Sequence, residues 1–340
     1  MLLSDYTYNL PEENIAKFPP KIRGTSRLIV LDRKTGKYTD SYYRNLDEFL
    51  EPGDLLILND TRVMRSRLFT QLPDGRPREL VVLEKHDDVD NHVMYRGKLH
   101  VGDVLTVKHA GTDELTNDTV AVREILDGGI AIIDSSRPLQ DIVLDHGNVP
   151  LPPYLHRDAT ANDVKRYQTV WGNKLGSAAA PTASLNMTED LLSRLQQKGI
   201  QIKYLTLHVG LGTFLPIRTD NIEEHHMHSE WFNIPVDTIE AIKNTKAAHK
   251  RVIALGTTVT RTLEYWGKTS KTSGEDDIFI YPGFDFKVID ALLTNFHAPK
   301  STVLMLASAF AGWDHLKAAY EHAIAEDYKL LSYGDSMLIC

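Results

Sequence analysis

The sequence predicts an α/β protein in which a larger α/β domain carries an inserted all-β, barrel-like domain. Three observations predict it. The chain has 340 residues, more than one small core accommodates. Beyond the proline-rich stretch ending at Tyr154, helical and strand patterns alternate, as in layered α/β structures. From Leu68 to Asp134, short β-branched runs follow one another with glycines between them and no helical period. The expected boundaries place residues 1–66 and 148–340 in the α/β domain and residues 67–147 in the insertion.

Taken in order, Ser26–Leu31 reads as a strand, Asp32–Gly36 as a turn and Leu46–Leu50 as a short helix before Pro52-Gly53. Asp54–Leu58 is a continuous apolar run of buried-strand length, ending in the polar cluster Asn59-Asp60-Thr61-Arg62. In the insertion, strands are expected at Glu79–Glu84, Val104–Lys108, Thr119–Ile125 and Ile130–Asp134. His146–Tyr154 is a rigid connector. Thr188 can cap a helix over Glu189–Lys198, with Leu191, Leu192 and Leu195 on one face and Gly199 as its stop. Strands follow at Ile200–Val209, Arg251–Leu255 and Asp277–Tyr281. Helices are expected over Thr238–Lys250, Pro299–Ala311 and Trp313–Asp327.

Composition excludes several classes of function. With 42% hydrophobic and 25% charged residues the chain is an ordinary globular protein. Its one cysteine, Cys340, permits neither an intrachain disulfide nor a thiolate metal cage, which fits a reducing cytoplasm. The start, Met1–Tyr6, lacks the pattern of a signal peptide, and the apolar run Val303–Trp313 is about half of a membrane span. No membrane partner is expected. A net charge of −8 argues against indiscriminate nucleic-acid binding. Arg62, Arg65, Arg67, Arg76 and Arg78 against the single acid Asp74 nevertheless make one basic stretch, either a solvated surface or an RNA-backbone contact.

Chemistry is concentrated around Thr206-Leu-His-Val-Gly-Leu-Gly-Thr-Phe-Leu-Pro-Ile217 and His226-Met-His-Ser-Glu-Trp231. His226, His228 and Glu230 recur at period two and would share one face of an extended segment. They read as a metal-ligand set, a structural polar edge, or a metal-free site with Glu230 or a histidine as general base. Gly210, Gly212 and Thr213 form a turn that a ligand can approach closely, although it is weak as a nucleotide motif. Gly256, Thr257 and Thr258 lie where a strand hands over to the helix bearing Arg261. The free amides at such a start favour an anion; capping by the threonines is the competing reading. His297, in Thr294-Asn-Phe-His297, is either a structural residue or a catalytic one.

In order, these segments resemble the S-adenosylmethionine:tRNA ribosyltransferase-isomerase family of queuosine biosynthesis over nearly the whole chain. The likeness is carried by Asn59-Asp-Thr-Arg-Val63, Pro150-Leu-Pro-Pro-Tyr154, Leu207-His-Val-Gly210 and Met227-His-Ser-Glu230. It continues through Gly256-Thr-Thr258, Arg261-Thr-Leu-Glu264, Phe279-Ile-Tyr-Pro-Gly283, Thr294-Asn-Phe-His297 and Tyr333-Gly-Asp335. One segment departs. The family usually reads Pro-Thr-Ala-Gly-Leu-His-Phe-Thr, whereas this chain has Pro181-Thr-Ala-Ser-Leu-Asn-Met-Thr188. Asn186 can hydrogen-bond in an imidazole's place but cannot shuttle a proton.

The resemblance implies that the ribosyl portion of S-adenosylmethionine is transferred to 7-aminomethyl-7-deazaguanine at the wobble position of tRNA. The tRNAs are those with a GUN anticodon (Asp, Asn, His, Tyr). Adenine and methionine leave, and an epoxycyclopentane ring forms on the base. S-adenosylmethionine is then a co-substrate; no tightly bound cofactor or metal is expected, and the expected species is a cytoplasmic monomer. Glu230 with His228, then Asp60, are the expected base or sulfonium partner. Arg261 with Gly256–Thr258 would hold the methionine carboxylate, with Asn186 also at the substrate. Gly210, Gly212 and Thr213 would line the nucleoside, and His208 and His297 would act on adenine. Arg62, Arg65 and Arg67 would meet RNA phosphates. Glu230→Gln is expected to fold normally and lose adenine release. The rival readings are a paralogue that binds the nucleoside without transfer, a non-catalytic RNA-binding module and a metallohydrolase built on His226 and His228.

Overall fold

A computed structural model describes residues 1–83, 91–210 and 217–340. The chain forms two compact units. One comprises Met1–Thr61, Thr169–Lys174 and Pro181–Cys340; the other comprises Arg62–Gln168 and Leu175–Ala180.

The first unit is built on a nine-stranded mixed sheet. Four parallel strands occupy its middle in the spatial order Gln201–Leu207, Leu55–Asn59, Val252–Leu255 and Ala291–Asn295. Leu55–Asn59, Val252–Leu255 and Ala291–Asn295 are buried at every position. Covering on both faces is what makes such strands continuous apolar runs rather than alternating ones. On one side, Glu230–Asn233 and Ser273–Asp276 extend the sheet antiparallel. On the other, Ser336–Ile339 runs antiparallel to Ala291–Asn295, followed by Arg27–Leu31 and Tyr38–Tyr42.

One face of this sheet presents Leu28, Leu56, Leu58, Ile253, Leu255, Leu293 and Leu338 to Leu46, Leu50, Leu191 and Leu195 in a single apolar cluster. The helix that supplies the last two, Glu189–Gln197, is capped by Thr188, whose side chain accepts the Leu191 amide at 3.1 Å. Gly199 ends it at φ +91°. Helices Val236–Ala247 and Thr257–Thr269 also pack on the central strands.

Several elements differ from expectation for visible reasons. No strand forms over residues 277–281; it ends at Asp276, whose side chain turns back to accept the Ile278 amide at 2.9 Å. The helix expected from Pro299 starts at Thr302, because Ser301 provides the cap and Lys300 has φ +60°. A 3₁₀ turn over Tyr43–Glu48 replaces the helix placed at Leu46–Leu50. Ala291–Asn295 and Ser336–Ile339 were not anticipated as strands. Among the described residues, no helix is long and apolar enough to cross a membrane.

The second unit is a closed six-stranded barrel. Its strands are Arg67–Gln71, Pro77–Val82, His92–Arg96, Val104–Lys108, Leu115–Leu126 and Ile130–Ser135, and neighbours pair antiparallel throughout. Leu68, Leu80, Val93, Leu105, Val120 and Ile133 form its core, where alternate residues of each strand point inward. The helix Leu139–His146 adds Leu139, Ile142 and Val143 to that core. Glu84, expected in a strand, lies outside the described residues.

Gly147 ends this helix where nothing larger fits. A Cβ there would stand 1.9 Å from the Arg65 carbonyl oxygen and 2.3 Å from that of Val143. Both are backbone atoms, so no side chain can move aside. Gly147→Ala is expected to destabilise this unit by about 3 kcal/mol or more, measured by urea unfolding; an unchanged midpoint contradicts the close approach.

Candidate active site

Parallel strands end together on one edge of a sheet, and open α/β sheets bind their ligands outside such carboxyl ends. Here that edge gathers Asn59, Leu207, Leu255 and Asn295 with the residues that follow each of them. Asn59 is the hub. Fully buried, it donates to the Leu207 carbonyl at 2.9 Å and to Thr258 Oγ1 at 3.4 Å, and it accepts the amides of Thr61 and Leu207. Two strand ends and the start of the helix that follows a third strand are thereby tied together.

Beside it, Asp60 Oδ1 accepts from Thr206 Oγ1 at 2.6 Å. Burial raises the carboxyl of Asp60 above the ordinary aspartate range, against the opposing effects of Thr206 and Lys174. His208, 8% exposed, places Nδ1 2.8 Å from Thr61 Oγ1 and stacks on Trp231 at 5.2 Å and 18°. A hydroxyl and an indole together fix that imidazole.

Glu230 opens its strand and is buried. One oxygen accepts the Gly210 amide at 2.9 Å; the other accepts from Arg261 Nη1 at 2.5 Å. Arg261, on the second turn of the helix that Gly256 begins, also donates to the Asp276 carbonyl at 3.2 Å, with the Asp276 carboxylate 3.9 Å away. Burial alone would lower the pKa of Arg261, but Glu230 and Asp276 outweigh it and the guanidinium stays charged. Asp276, in register with Glu230 on the neighbouring strand, is driven up to about 6 by burial. Gly256 takes φ +95°, a conformation that lets the chain turn directly from Leu255 into the helix. Thr257 and Thr258 form its first turn.

His297 follows the fourth parallel strand. Its Nε2 lies 3.0 Å from Thr294 Oγ1, its amide donates to Tyr320, and its carbonyl accepts from Tyr8 at 2.6 Å. Burial lowers its pKa to about 3, so it is a neutral hydrogen-bonding group at pH 7.

Asp60, His208, Gly210, Glu230, Gly256, Thr257, Thr258, Arg261 and His297 thus share the strand-end edge. Asn186 is also there, but its capacity is spent internally. It donates to the Gly334 carbonyl at 2.9 Å and to Ser336 Oγ at 3.3 Å, and it accepts from Ser26 Oγ at 2.8 Å. The regular strand begins only at Glu230, and His226 and His228 are exposed rather than facing inward with it. Gly212 and Thr213 lie outside the described residues. Arg62 and Arg65 are exposed on the barrel unit, whereas Arg67 pairs with Glu79 at 2.8 Å. Among the described residues, no three histidine, cysteine or acidic side chains form a metal-binding group.

Sequence reasoning missed Asn59 as an organiser, Thr61 and Thr206 as hydrogen-bond partners, and Asp276 as the second carboxylate on Arg261. The first three lay inside recognised segments. Asp276 carried no local signal, because its pairing arises from strand register.

Two buried titrating groups, His297 and Asp276, act on stability in opposite directions. Between about pH 6.5 and 3 the unfolded chain protonates its histidine while folded His297 stays neutral, so stability falls on acidification. Asp276 has its folded pKa above the unfolded value, so its contribution is present below about pH 4 and lost as pH rises through about 6. His297→Asn should therefore flatten the acid decline in Tm, and Asp276→Asn should steepen it, in melts from pH 7 to 4. Parallel curves for all three proteins contradict the assignment.

The family described as queuosine biosynthesis protein matches residues 3–339. Among full-length relatives, proteins named S-adenosylmethionine:tRNA ribosyltransferase-isomerase from Pelodictyon phaeoclathratiforme and Chlorobaculum parvum are 52% and 51% identical, with all of each chain covered. One of the same name from Acinetobacter baumannii is 44% identical, covering 100% of this chain and 99% of its own. The crystal structure of an S-adenosylmethionine tRNA ribosyltransferase from Thermotoga maritima matches 99% of this chain and 100% of its own. It does so at 31% identity and a TM-score of 0.57.

Proposed function

Because the chain belongs to the queuosine biosynthesis protein family, we propose that it is an S-adenosylmethionine:tRNA ribosyltransferase-isomerase acting at the strand-end edge of its larger unit. It moves the ribosyl portion of S-adenosylmethionine onto 7-aminomethyl-7-deazaguanine at the wobble position, giving epoxyqueuosine-tRNA, adenine and methionine. Its tRNAs are those with GUN anticodons, and it works as a cytoplasmic monomer without a tightly bound cofactor. The observation that carries this reading is the convergence of a fixed carboxylate (Glu230 between Gly210 and Arg261), a second one whose proton affinity burial raises (Asp60) and two oriented imidazoles.

The hydrogen bonds and burial support a division of roles. Glu230, held by an amide and a guanidinium, is the positionally fixed carboxylate of the site. Asp60, whose proton affinity is raised, is the better general base for the ribose 5′ carbon or the attacking amine. His208 hydrogen-bonds adenine as it departs, and neutral His297 orients it rather than supplying a charge. The amides of Thr257 and Thr258 receive the methionine carboxylate, with Arg261 behind them as a fixed positive charge. Gly210 stands beside them, its amide donating to Glu230. His228 is exposed to solvent. Arg62 and Arg65, more than the ion-paired Arg67, meet RNA phosphates.

Incubation with S-adenosylmethionine and tRNA carrying the aminomethyl base tests the proposal. Adenine and methionine should appear in equal amounts together with the mass of an epoxycyclopentane adduct on the tRNA. Binding of both substrates with release of neither product would point to a paralogue that does not transfer.

A further inference from the structure

Outside the strand-end network, the larger unit has a cavity of about 780 Å³ between the end of helix Thr257–Thr269 and the segment after Asp276. Its walls include Tyr265, Phe279, Tyr281 and Phe284, with Lys268, Asp277 and Asp285 at the polar positions. That volume lies in the range of sites for ligands of nucleoside size. A smaller cavity adjoins it. Ile278 and Phe279 stand in the walls of both cavities, and the smaller one reaches Thr257, Thr258 and Arg261.

The segment that forms it is held at both ends by one helix. Arg261 donates to the Asp276 carbonyl at 3.2 Å. Three residues on, Glu264 accepts the amides of Lys287, Val288 and Ile289 at 2.8, 3.0 and 3.0 Å. The aromatic rings are thus presented by a clamped segment, and preorganisation of this kind favours binding.

Charge selects the occupant. Among the residues that line the larger cavity, Asp277 and Asp285 outnumber Lys268, and at the neighbouring ion pair Glu230 and Asp276 outnumber Arg261. His225, ring to ring with Phe279 at 5.1 Å, is held toward its neutral form by burial and then by His228 and His226. A phosphate backbone meets net repulsion here. A planar base beside a positive charge meets π faces and carboxylates, which attract it.

We propose that this clamped aromatic cavity is the seat of the sulfonium nucleoside, with the base against Phe279 and Tyr281 and the positive charge recognised by Asp277 and Asp285. The inference rests on the reading of S-adenosylmethionine as co-substrate, but its test needs neither tRNA nor turnover. Calorimetry on the full chain compares S-adenosylmethionine with S-adenosylhomocysteine, which has the same nucleoside without the sulfonium charge. The doubly substituted Asp277→Asn, Asp285→Asn protein should bind S-adenosylmethionine about tenfold more weakly, with S-adenosylhomocysteine and tRNA affinities not weakened. Tyr281→Leu should weaken both nucleosides.

Equal loss for the two nucleosides in the acidic-pair variant, or affinities unchanged in both proteins, overturns the seat. So does a weakened tRNA affinity with S-adenosylmethionine binding intact. If the wild type binds the sulfonium nucleoside as described yet releases no adenine with tRNA, the transferase reading fails while the seat stands. If it turns over and the variants bind normally, the seat alone fails.

Discussion

Asp60→Asn is expected to lower the rate of adenine release by about 10²–10⁴-fold, the range for loss of a positioned general base, while the protein folds normally. The substitution isolates the chemistry well. Asparagine keeps the shape and can still accept from Thr206 Oγ1, now 2.6 Å from Asp60 Oδ1. The Asp60 carbonyl receives the amides of Asn173 and Lys174 at 3.0 and 3.1 Å, and both bonds survive because they are backbone. Only the capacity to take a proton disappears. Burial lifts the proton affinity of Asp60, so the wild-type rate should rise with pH through a pKa above the ordinary aspartate value and then level off. In the asparagine variant that limb should vanish from single-turnover profiles. S-adenosylmethionine affinity within about threefold of wild type, together with the lost rate, separates this role from a binding one. A variant with near-normal turnover removes Asp60 from the mechanism.

How much of this was legible depended on whether the determining contact was local. Asp54–Leu58 announces a central strand because both of its faces are covered and nothing polar interrupts it. Thr188 and Gly199 bracket their helix by local capping chemistry. The alternation of short strands and glycines gave the barrel, but not the helix Leu139–His146, whose apolar face is completed only by barrel residues such as Leu68 and Leu80. The site followed the same divide. Asp60, His208, Glu230 and Arg261 were named from segments that end strands or begin a helix, and the sheet brings those ends to one edge. What could not be read was how they are coupled. Asn59 ties its own strand to a neighbouring strand and to a helix start at once, and Asp276 meets Arg261 only because its strand pairs with that of Glu230. Asn186 looked like a substituted functional histidine, yet its neighbours Ser26, Gly334 and Ser336 come from distant parts of the chain and use every hydrogen bond it makes.

That coupling changes what substitution at Glu230 will do and makes Arg261 the most fragile point of the site. Arg261→Met should destabilise the protein by about 3–5 kcal/mol at pH 7, the cost of removing one member of a buried ion pair. Two carboxylates are then left facing each other, with Glu230 5% exposed and Asp276 fully enclosed. Lysine does not rescue the site, because the guanidinium reaches Glu230 through Nη1 and the Asp276 carbonyl through Nη2, a fork that an ammonium lacks. Glu230→Gln carries part of the same cost: the amide can still accept from Gly210, but Arg261 keeps only Asp276. Normal stability, expected from sequence alone, is therefore replaced by a loss of about 1–3 kcal/mol for a weakened buried charge-assisted bond. Combining Arg261→Met with Glu230→Gln should recover much of the single-variant loss, since the paired charges leave together. The pH dependence has a definite sign. Without the guanidinium the carboxyl of Asp276 rises beyond about 6 and more readily takes a proton, so the deficit of Arg261→Met should shrink as pH falls from 7 to 5. Urea unfolding of the four proteins at both pH values measures this. Additive losses, or a deficit that grows on acidification, would show that the three side chains do not act as one electrostatic unit.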